Sequence, residues 1–167
     1  YAQEKDCPVR AEVIGFHDDR VVLMPLGEVR GIGPGSRVMG LNRRATFQVG
    51  EKMLGRVIDG LGNPIDGKGP LHADREYPLH AEPVNPLRKR RIKEPLDVGI
   101  KTLNVLLTCG KGQRMGIFAG SGVGKSILLG MIARKTRAEV RVIALIGERG
   151  REVREFIEKD LGEEGLK

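Results

Sequence analysis

The stretch that decides the fold is AGSGVGKS, residues 119–126, a glycine-rich run that ends in Gly-Lys-Ser. It fits the phosphate-binding pattern G-x-x-x-x-G-K-[S/T], except that Ala119 stands where the pattern has its first glycine. Alternating glycines let the backbone turn sharply, so that its N–H groups can converge on phosphate oxygens. Alanine is small and ends the preceding segment, so this departure hardly weakens the match. The alternative is a glycine-rich turn with a chance Gly-Lys-Ser.

The segments on either side supply the context that such a loop requires. Residues 114–119 are predicted as a short apolar strand, and residues 126–136 as a helix with one apolar stripe. A second strand is predicted over 140–146 and a second helix over 151–161, ended by Gly162 and Gly165. Strand, helix, strand, helix in this order indicates an α/β sheet domain.

The loop itself predicts which residues bind a nucleotide. Lys125 supplies a flexible positive charge for the β- and γ-phosphates, and Ser126 offers a hydroxyl to Mg²⁺. The residues predicted to contact the nucleotide are Ala119, Gly120, Ser121, Gly122, Val123, Gly124, Lys125, Ser126 and Ile127.

Phosphate binding alone does not give hydrolysis, which also needs a carboxylate near the attacking water. Residues 146–152 follow the second predicted strand, where α/β sheets place their ligands. Glu148 is the candidate base, and Arg149 is placed to touch phosphate. Spacing alone leaves Glu148 open between a catalytic and a structural role. Glu152 opens the next helix, where favourable interaction with the helix dipole is an equally credible role.

The first half of the chain has a different pattern. Alternating apolar residues and turn residues predict short strands over 9–13, 20–24, 36–39 and 45–49, with a turn at Asp18-Asp19. Residues 1–50 are therefore interpreted as a partial antiparallel β-barrel or sandwich, most simply a structural or oligomer-forming collar. Turn dipeptides and four prolines predict a linker over 51–95. Residues 96–167 are predicted as the N-terminal part of the α/β domain.

Composition and charge exclude several classes. The 167 residues include two Cys, no Trp and only six Phe or Tyr, which disfavours a disulfide scaffold and a base-stacking surface. Two cysteines without a framework favour a reducing compartment. Residues 1–87 have a net charge of −1 and residues 88–167 a net charge of +8. Five cations lie within 88–93, where a solvated linker is favoured over a lipid or nucleic-acid patch.

Three segments in fixed order resemble a known family. They are LGRVIDGLGNPIDG at 54–67, the run from GQR at 112 through the phosphate loop, and GERGREVREF at 147–156. This chain resembles the α/β subunits of rotary F/V-type ATPases, and among their relatives the flagellar type III protein-export ATPases, with virulence-injectisome ATPases next. The resemblance implies a mixed fold, a small antiparallel β-barrel followed by a truncated α/β RecA-like P-loop NTPase domain.

The resemblance also implies roles for individual residues. Glu148 matches the catalytic glutamate of the family, Arg149 lies near the γ-phosphate, and Glu152 reaches Mg²⁺ through water. Lys125 and Ser126 match the residues that hold phosphate and Mg²⁺. The Walker B aspartate, the arginine finger and the adenine-pocket aromatic of the family match nothing up to Lys167. We therefore expect this polypeptide alone to have little or no ATPase activity.

The family is expected to hydrolyse ATP with Mg²⁺ in a homohexameric ring, cytoplasmic and peripheral at the inner face of the cytoplasmic membrane. Its implied partners are flagellar export regulators, the export gate and chaperone–substrate complexes, without nucleic acid. Three alternatives stay open: an injectisome ATPase, a hexameric RNA or DNA translocase, and a noncatalytic nucleotide-binding subunit. The near-neutral first half argues against the translocase, since a barrel that binds single strands should be basic.

Overall fold

The first element of the fold is a β-hairpin. A computed structural model describes residues 8–120 and 122–166, and in it β1 (Ala11–His17) pairs antiparallel with β2 (Arg20–Pro25). The predicted turn at Asp18-Asp19 is confirmed, with Asp18 in the left-handed region at φ 50°. The register shifts between Val13 and Gly15, which is a β-bulge. The strand predicted over 9–13 is therefore confirmed only from residue 11 onward.

A second pair of strands follows, but no closed barrel forms among the described residues. β3 (Thr46–Val49) pairs antiparallel with β4 (Arg75–Pro78), whereas residues 36–39 form no strand, so that prediction is wrong. Val38 and Met39 are 71% and 77% exposed, so no packed face holds this segment in a ladder. Each sheet has only two strands, and a barrel closes only when every strand has a neighbour on both edges.

Residues 51–95, which include β4, carry more structure than an extended linker. They hold a 3₁₀ turn at Glu51–Met53, another at Pro86–Arg88, and a bridge between Ile58 and Pro64. The five cations of 88–93 are exposed, as a solvated linker requires.

Arg56 and Asp66 close the loop between them with a two-pronged ion pair. Arg56 Nε lies 2.6 Å from Asp66 Oδ2 and Nη2 lies 2.9 Å from Oδ1. The side chains are only 13% and 6% exposed, and the carboxylate also accepts the N–H groups of Val57 and Lys68. The hydrogen bond from Arg56 holds the pKa of Asp66 well below its usual value. The charge pair is thus fully hydrogen-bonded, as burial requires.

Helices are the main regular elements of the second half. Its elements are β5 (Pro95–Leu96) paired antiparallel with β6 (Cys109–Gly110), α1 (Lys101–Leu106), α2 (Lys125–Lys135), α3 (Gly150–Glu155), a π-helical segment (Phe156–Leu161) and α4 (Gly162–Gly165). Both predicted helices are confirmed. The second one widens into π-helical geometry at residue 156 and breaks at Gly162, where φ is 59°. The thiol of Cys109 is free, and Cys7 lies outside the described residues.

The two strands predicted over 114–119 and 140–146 are wrong. Neither segment pairs with another one in the part of the chain that the structure describes. An extended segment becomes a strand only through a neighbour's backbone hydrogen bonds, and apolar sequence cannot supply them. Phe118, Val142 and Ile146 are accordingly 96%, 90% and 89% exposed.

A small core joins α2 to the later helices. Ala133, Phe156 and Leu161 are buried together, with Leu145 and Leu166 packed against them. Gly130 is also buried, and a Cβ placed on it would lie 2.7 Å from Asp160 Cβ and 2.8 Å from the Asp160 carbonyl oxygen. No side chain other than hydrogen fits there, so glycine is what lets the two helices approach this closely.

The end of α2 is held by Asp97. The carboxylate accepts hydrogen bonds from the Gly99 N–H at 2.8 Å and from Asn104 Nδ2 at 2.7 Å, and Arg137 Nε lies 3.2 Å from it. These contacts lower the pKa of Asp97, the Gly99 N–H most of all. The carbonyl of Asp97 accepts the Arg137 N–H and the Thr136 hydroxyl. The helix that follows the phosphate loop is therefore fixed at its middle and at its end.

None of the helices in residues 8–120 and 122–166 has the length and apolar content needed to cross a bilayer.

Candidate functional site

The predicted phosphate loop takes a turning conformation that leads directly into α2. Gly122 and Gly124 have φ values of 76° and 93°, in the left-handed region that favours glycine. A Cβ on either residue would meet nothing within 4 Å, so the space above the loop is open. Gly120 lies outside the left-handed region. Ser121 lies outside the described residues.

The N-terminus of α2 is free to receive an anion. The first helical hydrogen bond runs from the Leu128 N–H to the Gly124 carbonyl at 2.9 Å. No side chain among the described residues caps the helix, and the N–H groups of Lys125, Ser126 and Ile127 have no acceptor within it. Such N–H groups, at the positive end of the helix dipole, form an anion site.

Every described residue predicted to contact the nucleotide is exposed, apart from the half-buried cap Gly124. Ala119 and Gly120 continue the unpaired segment from residue 114, while Val123 is 66% and Ile127 58% exposed. Lys125 forms no ion pair with any carboxylate that the structure describes. Its charge is thus available to a ligand.

Glu148, Arg149 and Glu152 lie together at the start of α3. Glu152 Oε2 accepts the backbone N–H of Arg149 at 3.3 Å, and Arg149 Nη1 lies 3.4 Å from Oε1. The pKa of Glu152 is lowered, first by a hydrogen bond with the Glu148 carboxyl group and next by the Arg149 N–H. The capping role foreseen for Glu152 is confirmed. A cavity of about 270 Å³ opens here, lined by Arg149, Glu152 and two neighbours on α3.

The loop and the carboxylates are related by helix packing and not by direct bonds. Among the residues described, no hydrogen bond or ion pair joins 119–127 to 148–152. Two contact points define the packing: Gly130 meets Asp160, and a Cβ on Gly165 would lie 3.4 Å from Arg134 Cγ. Both points lie on α2, one against the π-helical segment and the other against α4.

Sequence reasoning missed the residues that hold this arrangement. Gly130 stands alone inside an otherwise good helical pattern, and an isolated glycine there is a signal of close packing. The sequence pattern indicates the contacts of Asp97 and the Arg56–Asp66 pair only weakly, since their partners are distant in sequence or follow an irregular spacing. Only folding brings those partners within hydrogen-bond distance.

Two domain descriptions of one family match the chain, a β-barrel domain first and a nucleotide-binding domain after it. "ATP synthase alpha/beta family, beta-barrel domain" covers residues 2–42, and "ATP synthase alpha/beta family, nucleotide-binding domain" covers residues 99–167. The chain belongs to the ATP synthase alpha/beta family. The expected fold class, part of a β-barrel followed by part of a nucleotide-binding α/β domain, is thereby confirmed for this family member, although its described strands form no barrel and no parallel sheet.

Curated relatives of this ATP synthase alpha/beta family chain confirm the predicted resemblance. It is 56% identical over 159 residues to a flagellum-specific ATP synthase of Pseudomonas aeruginosa and 53% identical over 161 residues to that of Bacillus subtilis. A type 3 secretion system ATPase of Xanthomonas euvesicatoria is 53% identical over 157 residues. These matches cover 94–95% of the chain and 35–36% of each relative, so the chain spans about a third of their length.

Solved structures of a type III secretion ATPase are also similar to this chain. The assembled ATPase EscN of the enteropathogenic E. coli type III secretion system matches with a TM-score of 0.82 at 45% identity, over 91% of this chain and 37% of EscN. EscN in complex with its central stalk EscO matches with a TM-score of 0.77 at 44% identity, over 91% of this chain and 39% of that one.

Proposed function

We propose that this chain is part of the ATP-hydrolysing motor subunit of a bacterial flagellar type III protein-export apparatus. The single observation that carries the proposal is the loop of two left-handed glycines, Gly122 and Gly124, opening on the uncapped N-terminus of α2. Relatives named flagellum-specific ATP synthase give the substrate and the setting. The cluster of Glu148, Arg149 and Glu152 at the start of α3 supplies carboxylates for the reaction.

Each residue has a role that its position supports. The backbone N–H groups of the loop and of Lys125 bind the phosphates. The ammonium group of Lys125 stabilises the negative charge on the transferred phosphoryl group. Arg149 is near enough to the carboxylates to hold them or to turn towards the γ-phosphate. Glu148 is the base that orients and deprotonates the attacking water. Ala119, Gly120, Ser121, Val123 and Ile127 complete the nucleotide contacts.

The residues present fit a magnesium ion. Mg²⁺ prefers hard oxygen ligands and keeps several waters, so one or two protein oxygens beside the substrate phosphates suffice. Ser126 offers an exposed hydroxyl in the first turn of α2, and Glu152 an exposed carboxylate in the first turn of α3. When bound, Mg²⁺ would neutralise charge on the phosphates. Ser126 would bind it directly and Glu152 through water.

The test is Glu148→Gln in the intact gene product, which removes the base and keeps the shape of the side chain. We expect the ATPase rate to fall by about 10²–10⁴-fold while ATP binding is retained. Glu163→Gln, the same change at an exposed residue of α4, is the matched control and should leave the rate unchanged. Full hydrolysis by Glu148→Gln would contradict a catalytic role for Glu148. ATP binding without hydrolysis by the unsubstituted product would instead support a noncatalytic nucleotide-binding subunit.

The intact product is proposed to work as a cytoplasmic homohexamer, peripheral at the inner face of the membrane, with the export regulators, export gate and chaperone–substrate complexes as partners. Residues 1–50, 51–95 and 96–167 are proposed as barrel, linker and ATPase parts. By itself the 167-residue chain is proposed to hydrolyse little ATP. Size measurement with and without ATP tests the assembly, and turnover by the isolated chain comparable to the intact product would contradict the last point.

A virulence-injectisome ATPase is the second candidate, because a type 3 secretion system ATPase is 53% identical and EscN has the same fold. Restoration of motility to a bacterium that lacks its flagellar export ATPase would favour the flagellar role. Failure there, together with restored secretion in an injectisome mutant, would favour the alternative. Salt-dependent binding of single-stranded RNA would instead favour a nucleic-acid translocase.

A further inference from the structure

Gly130 lies where the helix of the phosphate loop comes closest to the backbone of the helical run that begins at Gly150. The backbone of Asp160 comes so close that a Cβ on Gly130 would lie 2.7 Å from Asp160 Cβ and 2.8 Å from its carbonyl oxygen. Ordinary contact of a Cβ begins at 3.4 Å, so any larger residue would push the helices apart by at least about 0.7 Å. Both partners of this contact are backbone or Cβ atoms, which cannot swing away.

The contact is placed where it can set the distance between the two halves of the site. Ser126 and Gly130 are four residues apart and share one face of α2, as Glu152 and Phe156 share one face of their helix. Gly130 is buried, and Phe156 is buried in the cluster that holds Ala133. Ser126 and Glu152 thus each lie one turn, about 6 Å, N-terminal to a packed residue on the same face of the helix.

This contact acts on both sets of site residues because each helix begins at one of them. α2 begins at the phosphate loop, and the run from Gly150 to Leu161 begins beside the carboxylates. A displacement at residue 130 therefore moves the loop relative to the carboxylates. The loop leads directly into α2 and moves with it, so its own conformation is unaffected.

We propose that Gly130 is a positioning residue, which sets the spacing between the phosphate-binding loop and the Glu148–Glu152 carboxylates. The inference rests on the proposed ATPase function. Nucleotide binding depends on the phosphate loop and the start of α2, whereas hydrolysis also depends on the carboxylates at the start of α3. Gly130 therefore controls turnover and the response to Mg²⁺ more than affinity for nucleotide.

The test compares Gly130→Ala with wild type in the intact gene product. A misplacement of about 1 Å costs up to about 10²-fold in rate, so kcat should fall about 10- to 100-fold. The Kd for a fluorescent ATP analogue should stay within about threefold, and the Mg²⁺ concentration for half-maximal rate should rise. A purely structural role would lower thermal stability without this separation of kcat from Kd.

One control makes the same chemical change at another glycine, and the other alters a residue of the same contact. Gly15→Ala also adds a Cβ, but one that meets nothing within 4 Å, and should leave kcat unchanged. Asp160→Ala removes the carboxylate and keeps the contacting Cβ and backbone, so kcat should again be unchanged. If Gly130→Ala does not fold, Phe156→Leu loosens the same packing and should lower kcat severalfold with Kd retained.

Normal kcat in Gly130→Ala or in Phe156→Leu would overturn the inference, as would a parallel loss of kcat and nucleotide affinity. Wild-type protein without ATPase activity would instead contradict the proposed function, so the two failures are distinguishable.

Discussion

Gly124→Ala tests whether the left-handed turn before α2 is the conformation that binds phosphate. Gly124 has φ 93° and ψ 14°, and an added Cβ would meet no atom within 4 Å. The substitution therefore adds backbone strain and no clash with the protein. Placing an L-residue in the left-handed region costs about 1–2 kcal/mol.

That cost sets the expected loss of affinity. If the nucleotide binds only the left-handed loop, 1–2 kcal/mol corresponds to about 5- to 30-fold weaker binding. The assay is a titration of the intact gene product with a fluorescent ATP analogue, at fixed Mg²⁺ and salt. Thermal unfolding of the same samples separates loss of affinity from loss of fold.

Gly112→Ala is the matched control for this strain. Gly112 has φ 88°, and a Cβ there would also meet nothing within 4 Å, but the residue precedes the unpaired 114–119 segment and lies off the loop. It should lower thermal stability and leave the Kd within about twofold. Should Gly124→Ala bind nucleotide as tightly as wild type, the left-handed turn is not needed for binding and the reasoning fails.

Two further predictions concern stability. Arg56 lowers the folded-state pKa of Asp66, so the pair stabilises the protein above the unfolded pKa of about 3.9 and loses this effect as pH falls below it. The difference in melting temperature between wild type and Asp66→Asn should therefore be largest near pH 7 and shrink below about pH 4; a constant difference would contradict this. Phe156→Ala, at a side chain 5% exposed, should cost about 3–5 kcal/mol in urea unfolding, whereas Phe16→Ala, at 78% exposed, should cost less than about 0.5 kcal/mol. Equal losses would refute the assigned core.

The two predicted helices and the phosphate loop were predictable because their causes are local, whereas α1 was not predicted. The glycine pattern of 119–126 determines where the chain can turn, and the apolar stripe after Ser126 determines a helix there. The hairpin of β1 and β2 was predictable for the same reason, since two alternating runs flank Asp18-Asp19. The strands over 114–119 and 140–146 were not, because a strand needs a partner that the local sequence does not contain.

By itself, the sequence determined the chemistry: which residues can bind phosphate, which carboxylates and cations accompany them, and which family the chain resembles. The tertiary structure decided where those groups stand. Close contact between Gly130 and Asp160 sets how closely α2 packs against the later helices, and burial joins Arg56 to Asp66, ten residues later in the sequence. The physical reason is the sequence separation over which each kind of interaction acts. Backbone conformation and charge are properties of neighbouring residues, whereas packing and buried pairing depend on residues that only the folded chain brings together.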